Sequence, residues 1–417
     1  MKYGLIAEKV GHSFSAEIHN KLFGYTYELV EISKENFDQF MKQRDFEAIN
    51  VTIPYKEAVI PHLDYVDQTA LEIGAVNTVV NREGKLYGYN TDLSGLIGLI
   101  KRSGIKIENK KVLILGSGGT SKTAYYAVKH LKCAEVYRVS RNEREGYITY
   151  PQAVSECFDA DVIINTTPLG MYPGIGKSAI ELDAFHNLSG VVDVVYNPLN
   201  TKLVTDAKML GIKAVGGLYM LVAQAAYAAE HFVGKSASPE RIEEIYKELY
   251  KKKQNIVLIG MPASGKTTVG NRLAELLGRT FTDTDEVICS TTGRTPAEII
   301  NQDGEAKFRD IETEVIKNVA LSSNAVIATG GGAILREENI SLLLENGRIY
   351  FLDRSPEHLP VTSDRPLSTT REALMARYKE RYPIYLSSCD KRIDCVFGID
   401  PNVNAILEDF NNEDTCN

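Results

Sequence analysis

The stretch NIVLIGMPASGKTTVG, Asn255 to Gly270, opens with an apolar run, turns on glycines, and closes on a lysine and two threonines. Gly260 to Thr267 fits G-x-x-x-x-G-K-[ST] in full. The apolar IVLI before it reads as a buried strand, and TTVGNRLAELL after it as a helix. A strand, loop and helix of this kind cradle phosphate. The glycines let backbone N–H groups curl around oxygens, and the helix N-terminus adds partial positive charge. Lys266 adds a full charge and Thr267 can hold Mg2+. Gly260, Gly265, Lys266, Thr267 and Thr268 are therefore the expected residues for a nucleoside triphosphate.

This loop begins past the middle of a 417-residue chain, and a second glycine turn, VLILGSGGTSKTA (Val112–Ala124), lies far upstream. Such a length implies roughly two to three domains. Composition is that of a soluble globular chain, 44% hydrophobic and 24% charged. Residues 254–417 carry 17 Lys+Arg against 25 Asp+Glu, which accounts for the whole net charge of −8. Neither part is basic, so no nucleic-acid partner is expected. No apolar run approaches a membrane span, and MKYGLIAEKVGHS has no leader pattern. The six cysteines are scattered with no Cys-x-x-Cys pair, which fits reduced thiols in a cytoplasm.

Between the two turns, Ser238-Pro239-Glu240 reads as a helix start, and Ile242, Ile245, Tyr246 and Leu249 recur at helical spacing. That helix ends on Lys251, Lys252 and Lys253, which suits the negative end of its dipole. No flexible linker follows, so the next domain is expected almost at once. Upstream, short β-branched runs alternate with helical stretches, which predicts parallel sheets.

Four segments follow the phosphate loop. FTDTDEVI puts Asp283 and Asp285 at the end of a predicted strand, pointing the same way. One can serve the metal and the other an acceptor hydroxyl. GEAKFRDIETEVI places Arg309 and Glu312 at i, i+3 on a helix. AVIATGGGAI is a strand ending in glycines, where backbone can approach a ligand, and YKERYPIY offers Arg381. Two arginines suit an acceptor that carries a carboxylate.

Around the first turn, Gly116, Gly118 and Gly119 stand between a strand and a helix. After the next strand come Ser140, Arg141 and Asn142, where an NAD enzyme would place an acidic residue. A cation there favours the 2′-phosphate of NADP, and Arg144 and Lys122 can assist. Residues 1–92 supply the partner: Ser13 and Ser15 in a polar turn, Lys56 after a strand, then Asn77, Asn90 and Asp92. A Lys–Asp pair suits carbonyl reduction, the lysine delivering a proton to the alkoxide and the carboxylate orienting it.

Two resemblances follow. GMPASGKT, DTD, FRDIE, TGGG, DRPL and ERYPIY stand in the order found in shikimate kinase, over essentially all of 254–417. That resemblance implies a P-loop kinase of the nucleoside-monophosphate-kinase type with a parallel sheet, using MgATP. It implies that Asp285 binds the ring hydroxyls and takes a proton. Arg309 and Arg381 would hold the shikimate carboxylate, and Gly331 and Gly332 would line the ring. Asp283 with Thr267 would serve Mg2+, and Arg365 would swing over the phosphates. The lid segment is short for that family, with His358, Pro360 and Val361 where many members carry an arginine near adenine.

HSFSAEIHN, NVTIPYK, GAVNT, NTD, GSGGTSK, NTTPLGM, DVVYNPLNTKL and GGLYMLVAQA resemble shikimate dehydrogenase, in family order, over nearly all of 1–250. The implied fold is an α/β substrate domain (1–92, with returning helices 217–250) and a Rossmann NADP domain (93–216), ahead of the kinase domain (254–417). Lys56 and Asp92 become the catalytic pair. Ser13, Ser15, Thr52, Asn77, Tyr196 and Gln224 would bind substrate, and Gly116, Gly118, Gly119, Arg141, Thr166 and Gly217 would contact NADP. Together the resemblances imply two consecutive steps toward chorismate and the aromatic amino acids. 3-Dehydroshikimate is reduced to shikimate with NADPH, and shikimate is phosphorylated on its 3-hydroxyl. Two alternatives remain: a preference for quinate or another polyol acid, and decay of one half into a dimerisation or regulatory module.

Overall fold

Three sheets organise the chain. The computed structural model describes residues 1–11, 13–360, 370–395 and 397–412. The first sheet comprises β1 (Tyr3–Ala7), β2 (Glu28–Glu31), β3 (Ala48–Val51), β4 (Tyr65–Val66), β5 (Thr78–Arg82) and β6 (Lys85–Tyr89), ordered β2-β1-β3-β5-β6-β4. The second comprises β7 (Lys111–Leu115), β8 (Glu135–Ser140), β9 (Ile148–Thr149), β10 (Val162–Asn165), β11 (Gly190–Asp193) and β12 (Lys213–Val215), ordered β12-β11-β10-β7-β8-β9. The third comprises β13 (Asn255–Ile259), β14 (Thr280–Asp283), β15 (Ala325–Ala328), β16 (Gly347–Asp353) and β17 (Lys391–Asp394), ordered β14-β15-β13-β16-β17.

The second and third sheets are parallel throughout. Their central strands are fully buried apolar runs, as strands covered by helices on both faces must be. The expectation of parallel sheets fails in the first. There β5 runs antiparallel to both β3 and β6. The β5–β6 reversal is local: Glu83 and Gly84 adopt positive φ (53° and 82°), which makes a two-residue hairpin turn too short for a crossover, while β5 is brought in against β3 by the longer connection 52–77.

Helix Leu218–Val233 lies against helices Asp92–Ser103 and Ser15–Phe23. Gly95 permits the approach, since a Cβ there would stand 2.9 Å from the Met220 carbonyl. Ile18, Leu22, Val222, Ala226, Ile245 and Leu249 share one apolar cluster beneath these helices. Helix Pro239–Lys253 begins where the sequence places it, the Ser238 hydroxyl accepting from Arg241 N–H at 3.2 Å. Gln254 alone separates its end from β13. No described helix is long and apolar enough to cross a membrane.

Because no linker intervenes, the third sheet's surroundings pack directly on the second's. Ile175 is buried in the same apolar cluster as Leu342, Leu343 and Phe351. Asn200 N–H donates to the Glu345 carbonyl at 2.8 Å, and Lys253 Nζ to Asn197 Oδ1 at 2.5 Å. Glu345 itself is fully buried, and burial pushes its carboxyl up to about 8; the Gly176 N–H and Lys202 oppose this and Asp206 adds to it. A carboxyl raised in the folded state contributes stability that is complete below about pH 4.5 and is lost as pH rises through about 8. Glu345→Gln keeps the acceptor without the charge. Thermal melts should therefore show wild type falling behind this variant between pH 5 and pH 9. Parallel melting curves across that range would show that Glu345 does not titrate in the fold.

Candidate active sites

The first site forms between the first and second sheets. Lys56 sits in the short helix Tyr55–Ala58 after β3, rather than in a simple turn, and Asp92 opens helix Asp92–Ser103. Lys56 Nζ donates to Asp92 Oδ2 at 2.6 Å, with both side chains largely shielded from water. Asn77 braces this pair. Its Oδ1 accepts from Thr91 N–H at 2.8 Å, and its Nδ2 reaches Thr91 Oγ1 at 3.0 Å and Gln224 Oε1 at 3.4 Å. Substrate-side residues from three elements thus meet. Ser13 Oγ donates to Ser15 Oγ at 3.0 Å, and the intervening Phe14 ring lies 6.4 Å from the Tyr196 ring. Thr52 N–H is tied to the Ile6 carbonyl at 3.1 Å. Asn90 braces the Asp92 helix differently, donating to the Ala75 carbonyl at 2.9 Å.

Beside the pair lies a cavity of about 760 Å³. Its lining gathers Lys56 with Gly116, Gly118, Gly119, Ser140, Arg141, Asn142 and Thr166, so the expected cofactor residues other than Gly217 share one space. Gly116 has φ 117°, and a Cβ there would stand 2.6 Å from Thr166 Oγ1, so only glycine fits. A Cβ at Gly119 would lie 3.8 Å from Lys56 Cβ, which puts the glycine turn directly against the catalytic candidate. The glycine cradle, the helix N-terminus at Gly119 and the exposed Arg141 are the donor set a dinucleotide with a 2′-phosphate requires. Gly217 caps helix Leu218–Val233, and the Val194 backbone occupies the place of its missing side chain. Of the two assisting cations, Arg144 donates to the Ser117 carbonyl at 3.4 Å, while Lys122 pairs with Glu57 at 2.8 Å.

Sequence reasoning missed Tyr150, Thr167, Ser178 and Ala179, which also line the cavity. It also missed the support beneath. Asp193, buried and pushed up to about 6 by that burial, accepts from Asn165 Nδ2 at 3.0 Å and Thr201 Oγ1 at 2.6 Å. Asn165 Oδ1 in turn accepts from Thr167 N–H at 3.0 Å. The run NTTP at a strand end was the one available signal.

The second site surrounds the loop after β13. Gly260 and Gly265 hold φ of 149° and 103°, and helix Lys266–Leu277 starts at the loop's end. Lys266 Nζ donates to the Gly260 and Met261 carbonyls, both at 2.9 Å. Thr267 Oγ1 donates to Asp283 Oδ2 at 2.8 Å, and Thr268 is exposed beside it. Thr267 and Asp283 thus offer neighbouring oxygens of the hard type Mg2+ takes. The expected strand through Asp285 is corrected: β14 stops at Asp283, which caps helix Thr284–Thr292 by accepting from Asp285 N–H at 3.0 Å. Asp is a strong N-cap, and the cap overrides strand alternation.

The glycine run 330–332 draws the acceptor residues together. A Cβ on Gly330 would stand 2.7 Å from Asp285 Oδ1 and 2.8 Å from Glu312 Oε1. Gly331 O accepts from Arg381 Nη1 at 2.9 Å and from Tyr385 Oη at 2.5 Å. The Arg309 guanidinium stands where a Gly332 Cβ would go, and donates to Glu312 Oε2 at 2.6 Å and Glu305 Oε1 at 2.9 Å. Burial works against the Arg309 charge, but Glu312 and Glu305 outweigh it and hold its pKa above the ordinary value. Burial also raises the Glu312 carboxyl, which Arg309 only partly offsets. Arg309 Nε and Glu312 Oε1 are buried without a hydrogen-bond partner among the described residues, polar capacity that a bound acid and hydroxyl group can use. Arg365 and Val361 lie outside the described residues. His358 ends the short helix Pro356–His358 and stacks edge-on against Phe397. Arg354, which the sequence reading passed over, donates to the Ala263 carbonyl in the phosphate loop at 3.5 Å.

Gly332→Ala should push the Arg309 guanidinium aside and disturb its ion pair with the buried Glu312. The expected result is a KM for a carboxylate-bearing acceptor raised about tenfold, with a lowered melting temperature as the buried pair is strained. An unaltered KM would show that Arg309 does not hold the acceptor.

Comparison with known proteins agrees with this division. The family model for shikimate kinase matches residues 262–398, and that for the shikimate dehydrogenase substrate binding domain matches residues 5–79. A shikimate dehydrogenase (NADP(+)) of Clostridium perfringens is 37% identical over 264 residues, 59% of this chain and 97% of the relative. Among solved structures, a chorismate mutase/shikimate 5-dehydrogenase fusion protein from Clostridium acetobutylicum aligns with a TM-score of 0.57 at 36% identity, covering 60% of this chain and 97% of that one. Shikimate 5-dehydrogenase from Thermus thermophilus, in complex with NADP(H) and shikimate, aligns at 0.54 and 30% identity, covering 60% and 99%.

Proposed function

Because the chain belongs to the shikimate dehydrogenase family over its first three-fifths and continues into a shikimate kinase domain, we propose that its two sites act in sequence. It is a bifunctional enzyme of the shikimate pathway, an NADP-dependent oxidoreductase joined to an ATP-dependent kinase. In our reading residues 1–92 with helices 217–250 bind 3-dehydroshikimate, residues 93–216 bind NADP, and residues 254–417 bind ATP and shikimate. The observation that carries it is the Lys56–Asp92 pair at 2.6 Å with the glycine turn against it.

Bound NADPH supplies the hydride that reaches the substrate's carbonyl carbon. Lys56 gives its ammonium proton to the carbonyl oxygen as negative charge develops there, completing the alcohol. Asp92, which accepts from Lys56 Nζ at 2.6 Å, keeps the lysine aimed. Asn77 and Gln224 orient the ring hydroxyls, and Ser13 and Ser15 receive the carboxylate near Tyr196. Gly217 places the helix that carries Gln224.

In the second site bound MgATP supplies the phosphoryl group. Asp285 accepts the proton of the attacking hydroxyl, while Arg309 and Arg381 hold the carboxylate so that this hydroxyl faces the loop. Lys266 and the loop N–H groups would stabilise charge on the phosphates, and Thr267 with Asp283 would hold Mg2+. Arg365 belongs to the same reading as a lid cation. All five described cysteines are free thiols, which supports a cytoplasmic setting.

The test is one reaction with 3-dehydroshikimate, NADPH and MgATP, its products identified by mass. Shikimate 3-phosphate supports both halves. Accumulation of shikimate alone overturns the kinase reading, and no reduced product at all overturns the substrate assigned to the first site.

A further inference from the structure

The cavity beside Lys56 has a wall that reaches the kinase. Thr166, Thr167, Pro168 and Leu169 line it, and so do Ser178 and Ala179. The residues between them form a loop whose legs close on each other, a Cβ at Gly170 standing 2.9 Å from the Lys177 carbonyl. At its base, Asn165 and the buried Asp193 hold Thr167. Its tip leaves the second sheet altogether. Ile175 is buried in the kinase's apolar cluster, and Gly176 N–H donates to Glu345 Oε1 at 2.8 Å. Gly176 holds φ 72°, and a Cβ there would meet Leu342 at 3.1 Å.

The same kinase turn grips the neighbouring loop. Glu345 O accepts from Asn200 N–H at 2.8 Å, and Asn346 Oδ1 from Leu199 N–H at 3.2 Å. The two loops are joined, since Tyr172 N–H donates to the Asn197 carbonyl at 2.8 Å. One turn of the kinase, Leu342 to Asn346, therefore fastens both loops that follow β10 and β11.

We infer that Glu345 is a positioning residue for the dehydrogenase: acting through Gly176, it holds the loop that walls the NADP cavity, so the kinase domain sets its neighbour's cofactor affinity. A loop fastened at base and tip is ordered before the cofactor arrives, and binding then does not bear that entropy cost. Released at the tip, the loop must be ordered at each binding event, which weakens affinity without touching the reacting groups. The inference rests on the reading of this cavity as the NADP site.

Full-length wild type, Glu345→Ala and Glu345→Gln are compared well below their melting temperatures. NADPH affinity is read by titration without substrate, KM and kcat by steady-state reduction, and the kinase rate reports folding. The expected result is an NADPH KM and Kd raised about tenfold in Glu345→Ala with kcat within about twofold. Glu345→Gln, which keeps the acceptor for Gly176 N–H, should return both to wild-type values. Ile175→Ala, loosening the same tip from the other side, should weaken NADPH in the same sense and carries the test if Glu345→Ala does not fold. An unchanged NADPH KM in the folded variants overturns the inference, as does equal weakening in Glu345→Ala and Glu345→Gln. Wild type that fails to bind NADPH would overturn the cavity's assignment itself.

Discussion

Lys56→Ala is expected to lower kcat for 3-dehydroshikimate reduction about a thousandfold, while shikimate phosphorylation by the same protein proceeds at its usual rate. The loss has one source. Without Lys56 the carbonyl oxygen gathers negative charge with no donor beside it, and Asp92, which accepts at 2.6 Å, has no proton to give. Binding is affected less, because Asn77 and Gln224 remain linked at 3.4 Å and Ser13 and Ser15 belong to a separate element. The signature is thus a fall in kcat larger than any rise in substrate KM. A variant that keeps more than a tenth of wild-type kcat would remove Lys56 from proton delivery and leave it a binding residue. Coupled loss of the kinase rate would point to misfolding instead, which melting curves resolve.

Lys266→Ala should lower the kinase rate by about 10²–10³-fold and leave NADPH-dependent reduction intact. In the structure this ammonium is already drawn into the loop by the Gly260 and Met261 carbonyls, so its charge is in place before phosphates arrive. The backbone N–H groups and the helix N-terminus persist in the variant, which is why a residual rate is expected. In the combined reaction the variant should accumulate shikimate. Undiminished phosphorylation would remove Lys266 from the transfer step, whereas wild type that phosphorylates nothing would favour the alternative in which this domain serves assembly or regulation. A rate that falls in both halves together would instead mean that the kinase fold supports its neighbour more broadly than through the NADP loop.

Much of both sites was legible because phosphate cradles are local. Gly260 to Thr267 and Gly116 to Gly119 are contiguous runs whose backbone conformations follow from their own residues. The Arg309–Glu312 spacing likewise met a real helix, Glu305–Ala320, and the two side chains pair along it. Where local rules competed, the reading failed. Asp285 looked like a strand residue by alternation, but capping by Asp283 placed it on a helix. The first sheet looked parallel by its alternating elements, but β5 enters against β3 and the Glu83–Gly84 turn sends the chain back as β6.

What the sequence by itself determined is the set of chemical parts: two glycine cradles, a lysine and an aspartate, two arginines, and a junction without a linker. Each is written in a short segment, and short segments obey spacing, propensity and capping. What only the tertiary structure decided is which parts meet. Lys56 finds Asp92 across 36 residues, the glycine run 330–332 gathers Asp285, Arg309, Glu312 and Arg381 from three helices, and Gly176 meets Glu345 across 169 residues. Such meetings depend on how whole helices and sheets bury their apolar faces against one another, and no local pattern records the partner across the gap.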